Sequence, residues 1–228
     1  MDMTKLKQQA AEKAVEFIES GMVVGLGHGS TAIWATRRIA QLLDEGQLTN
    51  ILGIPCSAIV EKEAQSLKIP LTTLEDNPTI DITIDGADEV DPHLDLIKGG
   101  GGALLREKIV AQASKREVIV VDESKVVSHL GTNWAIPVEV VPFGYGSQVK
   151  YLEALGATVT VRLNPDGTRF YTDQNNLICD CQFGIISDPA RLAEKIRVRT
   201  GIVEHGLFIG LANDLIVASA NGIQHLHR

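Results

Sequence analysis

The alternation of short apolar runs with amphipathic segments is the feature that most limits what this chain can fold into. The segments 22–26, 51–55, 71–74, 80–84 and 118–121 are only four or five residues long, and each holds at least two residues of Val, Ile or Leu. We interpret them as strands, and four helices are predicted: one before the first strand, over 5–18, and three between the strands, over 31–43, 58–67 and 103–114. Strands that alternate with helices are typical of a parallel sheet with helices on both faces. In such sheets ligands bind outside the carboxyl ends of the strands, so the residues that follow each strand are the first candidates for function.

After about residue 130 the pattern changes. Prolines and glycines become frequent, and residues 164–167 (Asn-Pro-Asp-Gly) form a strong turn signal. The predicted elements of this stretch are helices over 148–155 and 189–196 and strands over 158–163, 169–172 and 177–181. This mixture predicts a small α+β domain of the ferredoxin-like kind.

From residue 207 the apolar strands return, with runs at 207–211 and 215–218. We therefore predict an α/β fold with two domains. Residues 1–130 and 207–228 are expected to form a doubly wound, mostly parallel, Rossmann-like catalytic domain. Residues 131–206 are expected to form the smaller α+β domain, with a role in oligomerisation.

The charge balance and the cysteines limit the classes of partner. The chain has 21 Lys and Arg against 29 Asp and Glu and no basic run, which argues against a nucleic-acid partner. No apolar stretch approaches the roughly 18 residues of a membrane span. Three cysteines and a polar stretch at 1–9 predict a reducing compartment, the cytoplasm. Cys179 and Cys181 are predicted as buried thiols on one strand face, and His225 and His227 as solvated tail residues.

A glycine-rich segment, 25–31 (Gly-Leu-Gly-His-Gly-Ser-Thr), lies between a predicted strand and a predicted helix. The unpaired N–H groups of a helix start favour anions, and Ser30 and Thr31 could cap that helix. We interpret the segment as an anion or phosphate site. The pattern Gly27-x-Gly29-x-x-Ala32 also matches a dinucleotide loop, but the acidic residue expected after the second strand is missing.

Three further charged segments follow predicted strands. Residues 85–91 (Asp-Gly-Ala-Asp-Glu-Val-Asp) are either a solvated acidic turn or a source of carboxylates for binding, proton transfer or a metal. Residues 98–102 (Lys-Gly-Gly-Gly-Gly) suggest close backbone approach to a ligand, with Lys98 as a cation for a developing negative oxygen. Glu107, in the helix that follows, is either a general base or an ordinary surface glutamate. Lys125, after the most apolar strand, could meet a phosphate.

These segments together resemble the type A ribose-5-phosphate isomerases, in the same order and spacing over nearly the whole chain. The resemblance implies a cofactor-free aldose–ketose isomerase of the non-oxidative pentose phosphate pathway, which interconverts D-ribose 5-phosphate and D-ribulose 5-phosphate through an enediol. It also implies a homodimer or homotetramer, a small sugar phosphate as the partner, and no metal.

The same resemblance carries roles onto particular residues. Glu107 is expected to be the catalytic base, with Asp85, Asp88 and Lys98 as the other catalytic groups. The expected substrate-binding residues are Lys7, His28, Gly29, Ser30, Thr31, Asp85, Gly86, Ala87, Asp88, Lys98, Gly99, Gly100, Gly101 and Lys125. His28 and Cys56 depart from the family pattern, in which Thr or Ser is usual at both positions.

Other function classes stay open at this point. A non-catalytic sugar-phosphate-binding regulator would keep the phosphate loops and lack the base. A nicotinamide-dependent oxidoreductase is disfavoured by the missing ribose-binding acid. An acyl or CoA transferase would need a glutamate nucleophile in a different loop context.

Overall fold

The computed structural model describes residues 3–228. Its helices are α1 (Met3–Val15), α2 (Ala32–Asp44), α3 (Ala58–Ser66), α4 (Leu104–Ala113), α5 (Tyr145–Ala154) and α6 (Pro189–Arg197), with a 3-10 helix at Glu123–Lys125. Its strands are β1 (Val23–Leu26), β2 (Leu52–Pro55), β3 (Ile82–Asp85), β4 (Glu89–Val90), β5 (Leu96–Ile97), β6 (Glu117–Asp122), β7 (Ile136–Val140), β8 (Thr158–Val161), β9 (Leu177–Gln182), β10 (Ile202–His205), β11 (Leu207–Phe208), β12 (Asp214–Ser219) and β13 (Gly222–His227). Within these residues no helix is both long and apolar enough to span a membrane.

The chain divides into two compact units. The first comprises Met1–Ala87, Arg106–Val126 and Gly210–Arg228, and the second comprises Asp88–Leu105 and Val127–Ile209. Residues 88–105, 127–130 and 207–209, which the predicted boundaries put in the first domain, lie in the second unit. Strands β4, β5 and β11 pair in a three-stranded sheet, and Ile97 of β5 and Leu207 of β11 pack into the hydrophobic cluster of the second unit.

The first unit is built on a six-stranded sheet in the order β13-β12-β6-β3-β1-β2. Five strands are parallel, and only β13 runs antiparallel, against β12. The predicted doubly wound, mostly parallel sheet is confirmed. The strand order reverses between β1 and β3, which is the place where such sheets bind ligands.

Side-chain alternation along β1 distributes the core of this unit over the two faces of the sheet. Val24 and Leu26 pack into a cluster with buried residues of α1, α2 and α3. Gly25, between them, faces the other side, where a Cβ would lie 2.9 Å from Val110 of α4. Helices therefore cover both faces, and the absence of a side chain at Gly25 brings α4 close to the strand.

The second unit contains a β-α-β-β-α-β succession, β7-α5-β8-β9-α6-β10. Its antiparallel sheet has the order β10-β7-β9-β8, so the predicted ferredoxin-like arrangement is confirmed. Cys179 and Cys181 are fully buried free thiols on β9, as predicted. Burial raises the pKa of Cys179 to about 11, and it raises the pKa of Cys181 further.

Three local predictions are wrong. The segments 71–74 and 169–172 are not strands, because each makes only a single bridge, Gly53 with Leu71 and Leu163 with Arg169. His225 and His227 are exposed, as predicted, but they do not form a tail. They lie on β13, which pairs along its whole length with β12, and both imidazoles contact the carboxylate of Asp214.

Candidate active site

In the first unit, the loop from β1 to α2 is anchored to the end of β3. The backbone N–H of His28 donates to Oδ1 of Asp85 over 2.9 Å, and that of Gly27 donates to the carbonyl of Ile84. A Cβ at Gly27 would lie 2.5 Å from Cα of Asp85, so only glycine allows this approach. Asp85 is 1% exposed, and its Oδ1 also accepts the N–H of Gly86. The two segments expected to bind substrate therefore meet at the switch point of the sheet.

The remainder of the β1–α2 loop is open. Gly29 has a φ of +109° with no atom within 4 Å of a Cβ built there, and Ser30 is exposed. Thr31 precedes α2, but its side chain makes no capping hydrogen bond, so the expected cap is absent there. The Thr31 hydroxyl therefore does not occupy a backbone N–H group at the start of α2, which is where an anion would bind.

Lys7 and Ser57 complete the surroundings of this loop. Lys7 Nζ of α1 donates to Oγ of Ser30 over 2.9 Å, which places an ammonium group beside the loop. Nδ1 of His28 lies 2.9 Å from Oγ of Ser57, the residue that also caps α3 by accepting the N–H of Val60. Sequence reasoning missed Ser57, although its position two residues after the end of β2 was a signal for it.

Glu107 is buried, at 4% exposure, on α4. The end of α4 lies near the start of β3, where Ile80 N–H donates to the carbonyl of Ala113. The helix therefore runs antiparallel to the strands, and its first turn points towards their carboxyl ends. Val110 of α4 packs on Gly25. Glu107 lies about one helical turn, roughly 5 Å along the helix axis, nearer to the start of α4. The interpretation as an exposed surface glutamate is excluded by its burial.

Lys125 closes the 3-10 helix that follows β6, the neighbour of β3. Asp122 fixes this turn by accepting the N–H of Ser124 over 3.0 Å. Because β1, β3 and β6 are adjacent and parallel, their carboxyl ends lie along one edge of the sheet. His28, Asp85 and Lys125 therefore share that edge, towards which the first turn of α4 also points.

The acidic segment 85–91 divides into carboxylates with different tasks. Glu89 is fully buried, and it accepts the backbone N–H groups of Gly131, Asn133 and Trp134. Asp91 accepts the N–H groups of His93 and Asp95 in a local turn. These two are structural, which leaves Asp85 and the half-buried Asp88 as the candidates for chemistry.

In the second unit, Asp88 organises the glycine segment. Its Oδ2 accepts the N–H of Gly100 over 2.7 Å, and a Cβ at Gly100 would lie 2.7 Å from its Oδ1. Lys98 is only 2% exposed, with Nζ 5.4 Å from the ring centroid of Phe208. Burying an ammonium group is costly, and a neighbouring aromatic face offsets part of that cost.

The glycines of this segment differ from expectation. The sequence suggested approach to a ligand, but Gly99, Gly100 and Gly102 approach protein atoms. A Cβ would lie 2.7 Å from Cβ of Leu104 at Gly99, and at Gly102 it would clash with the ring of Phe170, 2.7 Å from Cε1 and closer still to Cζ. Their lack of side chains is explained by this packing, so it is not by itself a sign of a ligand.

Arg162 is a positioning residue that sequence reasoning missed. It follows β8, pairs with the carboxylate of Asp180 through two of its nitrogens, and donates Nη1 to the carbonyls of Gly99 and Gly100, both over 3.1 Å. Its only signal in the sequence was Asp180, the single charged residue in an otherwise apolar run on β9.

Comparison with known proteins agrees with this arrangement. The family model of ribose 5-phosphate isomerase A (phosphoriboisomerase A) matches residues 52–222. A ribose-5-phosphate isomerase A from Desulfatibacillum aliphaticivorans is 58% identical over 221 residues, 97% of this chain and 96% of its own. A solved D-ribose-5-phosphate isomerase in complex with phospho-erythronic acid superposes with a TM-score of 0.98 at 34% identity, over 100% of both chains. The ribose 5-phosphate isomerase from Plasmodium falciparum gives a TM-score of 0.96 at 41% identity, over 99% of both chains. The chain thus belongs to the ribose 5-phosphate isomerase A family.

Proposed function

We propose that this protein interconverts D-ribose 5-phosphate and D-ribulose 5-phosphate by moving a proton between C2 and C1. The observation that carries the proposal is the buried carboxylate of Glu107 on a helix whose first turn points to the carboxyl edge of the sheet. Membership of the isomerase family supports the same reaction. A relative of known structure binds phospho-erythronic acid, a sugar-acid phosphate whose planar, negatively charged carboxylate resembles the planar, negatively charged enediolate of this reaction.

Glu107 acts as the general base. Its carboxylate takes the proton from C2 of the open-chain aldose, and the electron pair of that C–H bond forms the C1–C2 double bond of the enediol. The C1 carbonyl oxygen gains the electrons of its π bond. Glu107 then returns the proton to C1, while O2 loses its proton and becomes the ketone oxygen. Such positioned proton transfer contributes about 10²–10⁴ to the rate.

The other catalytic groups manage the oxygens. Lys98 stabilises the oxygen that becomes negative, together with backbone N–H groups of its loop. Asp85 and Asp88 open the sugar ring and relay the proton between O2 and O1. Asp85 is supported in this task by its place at the switch point, and Asp88 by its contact with the loop of Lys98.

The phosphate of the substrate is held away from the reacting carbons. We assign it to Lys7, Lys125 and the 28–31 segment, and the remaining binding residues are Gly86, Ala87, Gly99, Gly100 and Gly101. The contact between Lys7 and Ser30 supports this assignment because it puts a cation and a hydroxyl side by side. A remote anchor supplies binding energy that orients the sugar.

We further propose that the protein acts in the cytoplasm as a homodimer or homotetramer. The three cysteines are free, which fits a reducing compartment. The second unit exposes large apolar side chains, among them Phe143 at 93% and Val198 at 79%, which supports its expected role in oligomerisation.

The test is the isomerisation of D-ribose 5-phosphate by the purified protein, with EDTA present and no nucleotide added. We expect ribulose 5-phosphate to form at a rate proportional to protein concentration, because this reaction needs neither a hydride acceptor nor a metal. Heat-denatured protein is the control. Failure to turn over, with ribose 5-phosphate still bound, would overturn the proposal in favour of a binding protein.

A further inference from the structure

Three side chains of the first unit, all of types that can bind a metal ion, lie together on the paired strands β12 and β13. Nε2 of His225 lies 2.8 Å and Nδ1 of His227 lies 2.5 Å from the same oxygen, Oδ1 of Asp214. One ligand atom from each residue falls within 4.8 Å of the others. We propose that Asp214, His225 and His227 bind a divalent transition-metal ion with the preferences of zinc.

The pairing of β12 with β13 explains why these side chains converge. Asp214 lies directly opposite His227 in the antiparallel register, and Ile216 lies opposite His225. Residues two apart on a strand point to the same face, so both imidazoles extend over the same side of the sheet as Asp214. The contact is therefore fixed by the strand register and does not depend on a flexible loop.

The carboxylate of Asp214 divides its two oxygens between different partners. Oδ2 accepts Nε of Arg116 over 2.6 Å, while Oδ1 faces the two imidazoles. A ligating carboxylate is commonly held by a second group in this way. Arg116 thus holds the carboxylate with Oδ1 directed towards the two imidazoles.

Aromatic contacts hold the ring of His225 in place. Its centroid lies 5.2 Å from that of Phe17 and 4.1 Å from that of His227. The guanidinium of Arg116 lies over the ring of Phe17, 4.2 Å from its centroid. The side chain of His225 is 28% exposed and that of His227 is 63% exposed, so solvent and ions reach the site directly.

The ligand set and its spacing favour zinc over magnesium. Two imidazoles with one carboxylate suit zinc-like ions, whereas magnesium prefers oxygens. Zinc bonds of about 2.0–2.2 Å in a tetrahedron need ligand atoms about 3.3 Å apart, so the imidazoles must move outward by less than about 1 Å. The exposure of His227 allows this movement. Arg116 places a positive charge nearby, so we expect weaker binding than at a site of the same ligands without it.

This site is separate from the chemistry proposed above. Asp214 begins β12, and β12 is parallel to β1, β3 and β6, so Asp214 lies at the amino edge of the sheet. The expected effect of the ion is to tie the exposed edge strand β13 to the sheet. The test therefore needs no substrate, and its outcome is independent of whether the protein is an isomerase.

The test is a calorimetric titration with ZnCl₂ of protein stripped by EDTA and desalted, at pH 7.5. The wild type is expected to bind one ion per chain and to gain thermal stability when it does. H227A and the double variant H225A/H227A are expected to bind at least tenfold more weakly. The matched control H129A removes an exposed histidine elsewhere and should bind as the wild type does.

Substitution with Co²⁺ reports the ligands themselves. The wild type should show d–d absorption bands that change in H227A, which keeps the stacking of His225 on Phe17. Stoichiometric binding that survives in H225A/H227A would place the ion elsewhere and overturn the proposal. Absence of stoichiometric binding by the wild type would overturn it as well.

Discussion

The two glycine-rich loops, 25–29 in the first unit and 99–102 in the second, look alike in sequence and differ in structure. In the first, Gly29 has a positive φ and nothing within 4 Å of a Cβ, while the backbone N–H groups of Gly27 and His28 donate to the carbonyl of Ile84 and to Oδ1 of Asp85. In the second, Gly102 also has a positive φ, but a Cβ there would meet the ring of Phe170. A run of glycines therefore indicates close approach without saying what approaches.

The difference lies in what each loop leaves for a ligand. The first loop is followed by Ser30, which is exposed and accepts a hydrogen bond from Lys7 of α1 near the carboxyl ends of the strands. The second is filled by its own unit, with Arg162 bonded to two of its carbonyls. It leads along the chain into α4, the helix that carries Glu107. Four predictions test this contrast.

The largest effect is expected at Glu107. The variant E107Q keeps the size of the side chain and removes the base, so kcat should fall by about 10²–10⁴-fold. The measurement is the rate of ribulose 5-phosphate formation. The control is E117Q, which alters another buried glutamate of the same unit at the amino edge of the sheet. Near-normal turnover of E107Q would remove Glu107 from the role of base.

Gly102 tests the packed loop. G102A combines a left-handed backbone with a clash against Phe170, so unfolding free energy should fall by about 2–4 kcal/mol. G29A meets no atom and should cost only the backbone term, about 1–2 kcal/mol. Urea denaturation of both variants measures the difference. Equal losses would show that the contrast between the two loops is not one of packing.

Lys125 tests the open edge. K125A removes a charged partner of the phosphate, worth about 1.5–3 kcal/mol, so KM should rise about ten- to hundredfold with kcat little changed. The comparison is K115A, whose exposed ion pair with Asp81 is far less important. Steady-state kinetics separates the two constants. An unchanged KM in K125A would remove Lys125 from the phosphate site.

The smallest effect is expected at Ser57. S57A removes the cap of α3, at a cost of about 1 kcal/mol in unfolding free energy, and frees the ring of His28. Thermal melting gives the first effect and KM gives the second. The control S66A, at the far end of α3, should change stability by less than about 0.5 kcal/mol. A loss in S66A equal to that in S57A would argue against the cap.

Much of the fold could be predicted because β1 and β2 are compact apolar runs that are each followed by a helix, and β6 and β12 are apolar over most of their length. Strand β13, which contains a glutamine and two histidines, has no such pattern and was not predicted. The two-residue strands β4 and β5 carry no pattern, and the predicted strand at 207–211 gave no sign that it pairs with β5, so their separate sheet and the membership of 88–105 could not be predicted. Contacts between residues that are far apart in the sequence also leave no local pattern, so they could not be predicted. Four carboxylates in 85–91 look equivalent until Glu89 is found bound to a backbone turn more than forty residues away.

The most direct test of the central claim is incubation of the protein with ribose 5-phosphate in D₂O until many turnovers have passed. Proton transfer through an enediol by Glu107 predicts that solvent deuterium accumulates at the exchanging carbons, C2 of the aldose and C1 of the ketose. The same incubation with E107Q should give label only at the far slower rate of its residual turnover. Conversion by the wild type without any deuterium in the carbon-bound positions would indicate a hydride shift and contradict the account.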